Sequence, residues 1–175
     1  MVDRVLRAIR LEPSLYRHVA DRNDLTNEAA LLVTVIAILS SLGVLISSQF
    51  NLVSYVLQIL NSLLFGWILW AYIAYFVGTR LYNGRSSPAE MMRVLGYANT
   101  PRLLGLLSFI PCIGWLFAFA GWLLSIIAGV IAIRESMEFD TNKAVITSVA
   151  GLLVYIIASI LIGGIVGAMM APFGG

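Results

Sequence analysis

Histidine and cysteine are almost missing from this sequence: His18 and Cys112 are the only residues of their kinds. One cysteine excludes an intrachain disulfide framework and a thiolate metal site, and one histidine excludes a histidine-rich metal site. Cys112 lies in an apolar run and is expected as a small buried hydrophobe. Charge is scarce too. Asp, Glu, Lys and Arg make up 11% of the 175 residues, against about 25% in an ordinary soluble domain. No acidic residue falls deep in an apolar stretch, which removes a carboxylate proton relay and a two-acid hydrolase. Gly-x-Ser-x-Gly, His-Glu-x-x-His and Gly-x-x-x-x-Gly-Lys do not occur, and His18 sits in a basic arm as an interfacial side chain. The chain is therefore read as non-enzymatic and without a cofactor. A net charge of +2 gives no reason to expect nucleic acid.

What is abundant is apolar: 60% of the residues are hydrophobic and the mean hydropathy is +0.93. A water-soluble fold of this size has too little interior to hide that much apolar surface, so lipid is the expected solvent. A helix crosses the roughly 30 Å of hydrocarbon with about 20 residues. The apolar blocks then give spans at about 29–48, 55–79, 91–110, 115–133 and 144–170. The expected fold is all-α, a five-helix transmembrane bundle (29–175) behind a basic arm (1–28). The first apolar block is longer than a signal peptide's and no Ala-x-Ala-like site follows it, so no cleavable signal is expected.

In the arm, Val2, Val5, Leu6 and Ile9 share one helical face, and Arg4, Arg7 and Arg10 lie mostly on the other. That pattern suits an interfacial amphipathic helix near anionic headgroups, broken at Pro13; a solvated arm with chance periodicity is the alternative. Leu15, Tyr16 and Val19 suit a second short turn. Residues 48–51 form the turn after the first span. Trp67, Trp70, Tyr72, Tyr75 and Tyr82 crowd the second span toward an interface. Ser87-Pro88-Ala89-Glu90 has the form of a capping box with proline in the first turn. Asp140 or Thr141 caps the last helix.

The third apolar segment is the informative one. Leu103–Ile110 is too short to cross, so a third span must recruit residues 91–102 and bring Asn99, Thr100, Pro101 and Arg102 to the membrane boundary or inside it. Pro101 removes a backbone donor and breaks the helix, and the freed carbonyls need partners in protein or a wet cavity. A re-entrant hairpin between 101 and 133 is the alternative.

The arm holds five arginines, the second loop with its borders holds Arg80, Arg85 and Arg93, and the fourth holds Arg134 and Lys143. Five spans put all three basic segments on one side, so the amino terminus is expected in the cytoplasm and the carboxyl terminus outside. Arg102 is the one exception among eleven cations. It either binds an anionic headgroup or solute, or snorkels to the cytoplasmic interface, or pairs with Glu135 or Glu138. Gln58, Asn61 and Ser62 share a face of the second span, as a polar path or as interhelical hydrogen bonds. Gly121, Ser125 and Gly129 in the fourth span, and Gly163 and Gly167 in the fifth, suit close packing within the chain, or a homodimer through the fifth span.

Gly96-Tyr97-Ala98-Asn99-Thr100-Pro101, followed by Leu103-Leu104 and Ile110-Pro111, resembles the Yip domain (Ypt/Rab-interacting protein) family of five-span membrane proteins. Leu11-Glu12-Pro13-Ser14-Leu15-Tyr16 ahead of the first span and Lys143-Ala144 at the start of the last fit the same resemblance, which covers essentially the whole chain. The resemblance implies a cytosolic amino terminus. It also implies a membrane-organising or trafficking role, with small GTPases or other membrane proteins as partners. The long cytosolic arm and Asp-Leu-Tyr-Gly-Pro motif of the eukaryotic members are absent, so the chain looks like the compact prokaryotic branch, placed in a cytoplasmic membrane. The expected function is an adaptor working through helix packing and its cytoplasmic face. The alternative is a small transporter or channel for an anionic solute or lipid, using the broken third span, Arg102 and the Tyr97–Pro101 stretch.

Overall fold

Apolar sequence of this kind satisfies its backbone internally by forming helices, and every regular element among the described residues is helical. A computed structural model describes residues 1–42, 51–110 and 112–170. The arm folds as α1 (Val2–Ile9) and α2 (Pro13–Asp21), joined at Leu11, whose φ is 58°. A short 3₁₀ turn, Asn23–Leu25, leads into α3 (Thr26–Ser40). The expected turn at 48–51 lies largely outside the described residues, as does the end of the first span; Asn51 is described and caps α4 (Leu52–Leu63), its side chain accepting from the Val53 and Ser54 amides. A π-helical turn, Leu64–Leu69, joins α4 to α5 (Trp70–Tyr82) as one 31-residue apolar helix.

Ser87 caps α6 (Pro88–Ala98), accepting from the Glu90 amide at 3.2 Å. The expected return contact of a capping box is taken over: Ser136 donates to the Glu90 carboxylate at 3.0 Å. The stretch expected as a third span is two elements, α6 and a ten-residue 3₁₀ segment, Thr100–Phe109. α7 (Gly114–Met137) and α8 (Thr141–Met170) complete the chain. Asp140 precedes α8, and its carbonyl accepts from the Ala144 amide. Cys112 is exposed rather than buried: it stands in the turn before α7 with φ 68°.

Among the described residues three helices are long and apolar enough to cross a membrane, Asn23–Ser40, Leu52–Tyr82 and Gly114–Met137; Thr141–Ile157 is a shorter apolar stretch of α8. Their outward faces are apolar. Leu57 and Leu60 on α4, Trp115 and Phe119 on α7, and Leu153 and Ile157 on α8 are all exposed, and α4 buries no residue. An apolar periphery on this scale is what a lipid-facing bundle presents. The chain is thus an all-α membrane protein with several spanning helices.

The core gathers at one end. Ala8, Leu15, Tyr16 and Val19 of the arm, Met91, Val94 and Leu95 of α6, and Ala132 and Ile133 of α7 have almost no exposure and form one cluster. α2 therefore packs its apolar face on protein, against α6 and α7, and is neither solvated nor laid on lipid by that face. Arg93, 3% exposed, fixes this docking. Its guanidinium donates to the Val19 and Ala20 carbonyls at the end of α2 (3.3 and 2.7 Å) and to Thr26 Oγ1 (3.3 Å). A cation at a helix carboxyl end also favours the helix dipole. Two aromatics expected at an interface face inward instead. Trp67 donates its indole N–H to the Met92 carbonyl at 2.9 Å, and Trp70 meets Tyr155 edge to face. Tyr72 is exposed, and Tyr82 packs edge to face with Phe139.

Candidate functional site

The site is built on the break after α6. Pro101 has no N–H, so the Tyr97 carbonyl loses the partner an α-helix would give it. Thr100 supplies the replacement: its hydroxyl donates to Tyr97 O at 2.5 Å. The Asn99 amide turns back to Gly96 O (3.3 Å), which would strand Leu95 O, and the Asn99 side chain donates to Leu95 O at 2.8 Å. Both carbonyls released by the break are thus claimed by side chains of the break itself. The helix restarts in 3₁₀ form, with Arg102 N donating to Asn99 O at 3.0 Å. Pro101 and Thr100 are buried.

Tyr97 has a different task. Its hydroxyl donates to Glu28 Oε1 at 2.6 Å, and the same carboxylate accepts from Arg4 Nε at 3.0 Å. A single acidic residue on α3 therefore ties α1 to α6. The neighbouring carboxylate holds the Arg4 guanidinium above its ordinary range.

Arg102 is left facing open space. It is exposed to two cavities that meet at the break. The first, about 270 Å³, lies between α3, α4 and α7, with Ser40, Gln58, Ser62, Asn99 and Arg102 as its polar lining. The second, about 330 Å³, runs between α7 and α8 along Ile126, Val130, Val145, Val149 and Leu152. Gly66, Asn99, Arg102 and Trp122 belong to both. Gly66 sits in the π-helical turn, next to Trp67, which lines the first cavity and donates to Met92 O. Neither alternative pairing of Arg102 forms: Glu135 accepts from Arg134 at 2.7 Å and Glu138 from Arg17 at 2.8 Å. Among the described residues Arg102 has no acidic partner. The residues flanking Arg102 on α7 are Trp122 and Ser125, about 18–22 Å of helix rise from the Met137 end of that helix.

The structure brings Gln58 and Ser62 to Arg102 and leaves Asn61 exposed outside both linings. Gly121 lets α7 touch the break: a Cβ there would stand 2.8 Å from Pro101 O. Ser125 and Gly129 line the α7–α8 slot. Gly163 and Gly167 lie on the part of α8 whose surroundings fall outside the described residues. Sequence reasoning passed over Arg93, Glu28 and the π-helical turn. Arg93 was legible only as one more cation of the second loop and its borders, and Glu28 only as the last residue of the basic arm. Among the described residues no three His, Cys, Asp or Glu side chains gather as metal ligands.

A family model described as the Yip1 domain matches residues 11–169. No curated protein and no solved structure matches the chain.

Proposed function

This chain belongs to the Yip1 domain family, and from that premise we propose a non-enzymatic membrane protein of five spans that holds an anionic group at Arg102 inside the bilayer. One observation carries the reading: a guanidinium without an acidic partner among the described residues, on the shared wall of two cavities with Gln58, Ser62 and Asn99 beside it. An arginine in hydrocarbon costs about 2.5–3.5 kcal/mol on insertion scales. A bound anion offsets that cost, and the amide and hydroxyl groups of Gln58 and Ser62 add hydrogen bonds to it.

The five spans are α3, the Leu52–Tyr82 helix, the broken α6–3₁₀ segment, α7 and α8. The 3₁₀ geometry supports the third. Its rise of about 2.0 Å per residue stretches ten residues over roughly 20 Å, where an α-helix would cover about 15 Å. The cation distribution supports a cytoplasmic amino terminus and an external carboxyl terminus, in a prokaryotic cytoplasmic membrane. α1 fits an interfacial position, since Met1, Val2 and Leu6 are exposed while Ala8 is buried.

A second reading, a membrane-organising or trafficking adaptor, is favoured by the docked arm. Arg93 and Glu28 hold α1 and α2 against the bundle as a fixed cytoplasmic surface for another membrane protein, a second copy or a GTPase.

The anion reading is tested by thermal unfolding of the purified protein in neutral detergent, titrated with inorganic phosphate and with phosphatidylglycerol. At least one of these stabilises the wild type, and Arg102→Gln abolishes the response. An indifferent wild type, or an equal response from Arg102→Gln, defeats it. Labelling of cysteines placed at 84 and 174 in a Cys112→Ser background tests the topology; labelling of both from one side rejects it.

A further inference from the structure

We propose that the anion is a phospholipid, its phosphate in the polar cavity at Arg102 and one acyl chain in the slot between α7 and α8. This rests on the reading of Arg102 as an anion site and names what the anion is attached to.

The two cavities differ in chemistry and join at the arginine. The first offers the guanidinium, Ser62, Gln58 and Ser40. The second is bounded mostly by apolar surface, with Val145, Val149 and Leu152 of α8 and Trp70 and Trp122 contributing to it. A free phosphate or a small hydrophilic anion would satisfy the first and leave about 330 Å³ of apolar space unused. An apolar cavity of about 150 Å³ already takes up benzene, so the slot has room for a longer run of methylene groups, worth about 0.8 kcal/mol for each one buried from water. A ligand with a charged head and a hydrocarbon tail fills both.

Charge narrows the class further. No Asp or Glu lines either cavity. The ammonium of a zwitterionic headgroup therefore finds no counter-charge beside Arg102, whereas a lipid with one net negative charge balances the guanidinium one to one. The proposal is accordingly for a monoanionic phospholipid in preference to a zwitterionic one.

The test uses the intact protein in neutral detergent, with native mass spectrometry as readout. The probes are dioleoyl phosphatidylglycerol, dioleoyl phosphatidylcholine and glycerol 3-phosphate. The wild type retains phosphatidylglycerol about tenfold better than phosphatidylcholine, the equivalent of about 1.4 kcal/mol. Arg102→Gln removes the preference, and Arg102→Lys keeps part of it. Val149→Trp fills the slot from an exposed position that leaves the core intact, and it lowers phosphatidylglycerol retention about tenfold. Arg102-dependent binding of glycerol 3-phosphate, with phosphatidylglycerol retention unchanged by Val149→Trp, overturns the lipid proposal and leaves the anion site standing. Equal retention of every probe by wild type and Arg102→Gln overturns both, and marks the retained lipid as annular.

Discussion

Two threonines in this chain carry the same hydroxyl to opposite effect. Thr100 spends its hydroxyl on a carbonyl that Pro101 has orphaned, in a site sealed from solvent. Thr100→Val leaves that carbonyl without a donor and should cost about 1–2 kcal/mol, read as a lower unfolding temperature; Thr100→Ser should restore most of it. Thr147 is equally buried, and among the described residues its hydroxyl has no partner. Thr147→Val, nearly the same shape without the polar atom, should be neutral or should stabilise by about 0.5–1 kcal/mol. Arg93 illustrates a third use of a polar side chain. Replacing it by Met removes three hydrogen bonds to α2 and α3, an expected loss of about 2–3 kcal/mol. The loss should appear locally, as faster tryptic cleavage after Arg10 and Arg17 with the spanning helices still protected. The proline break and the isolated arginine were readable from the sequence because each is a property of one residue type. The repair by Asn99 and Thr100 was not read, although short polar side chains commonly bond carbonyls three or four residues back.

Among the described elements, the contact between α7 and the 3₁₀ segment is the most extensive. Gly121 faces Pro101 O, Leu104 Cβ and Gly105 N, so a side chain there meets backbone that cannot turn aside. Gly121→Leu should destabilise by about 1–3 kcal/mol through overpacking, whereas Gly129→Ala, whose nearest neighbour is a Leu95 methyl at 3.9 Å, should be tolerated. At the other end of α6, burial holds the Glu90 carboxyl above its ordinary 4.5. The native state therefore binds its proton more tightly than the unfolded chain does. The resulting stabilisation is complete below the unfolded value and is lost as pH rises through the native one. Glu90→Gln, which still accepts from Ser136, should lose less stability than the wild type as pH is raised above the ordinary carboxyl value of 4.5, read by thermal unfolding. Helix starts were legible at Ser87-Pro88 because capping is local. The π-helical turn was not, because Leu64–Leu69 reads as ordinary apolar helix.

For the whole molecule, hydropathy and charge made the membrane class readable, while the placement of the arm depended on contacts between residues some 70 positions apart, such as Arg93 with Val19 and Ala20. No periodicity in residues 1–28 distinguishes a face that meets lipid from one that meets α6. Cys112 failed for a related reason: an apolar neighbourhood in sequence became an exposed bend once the chain reversed into α7. The interrupted segment between α5 and α7 also bears on biogenesis. On the five-span topology proposed above, the insertion machinery meets a seven-residue stretch, Leu103–Phe109, apolar but for one serine and one glycine, behind an arginine and a proline, too weak a signal to partition alone. Partitioning must then wait until α7 has emerged to cover it at Gly121, so in a nascent chain truncated after residue 112 a cysteine placed at Leu106 should stay open to a membrane-impermeant thiol label, and in one extended through Met137 it should be shielded.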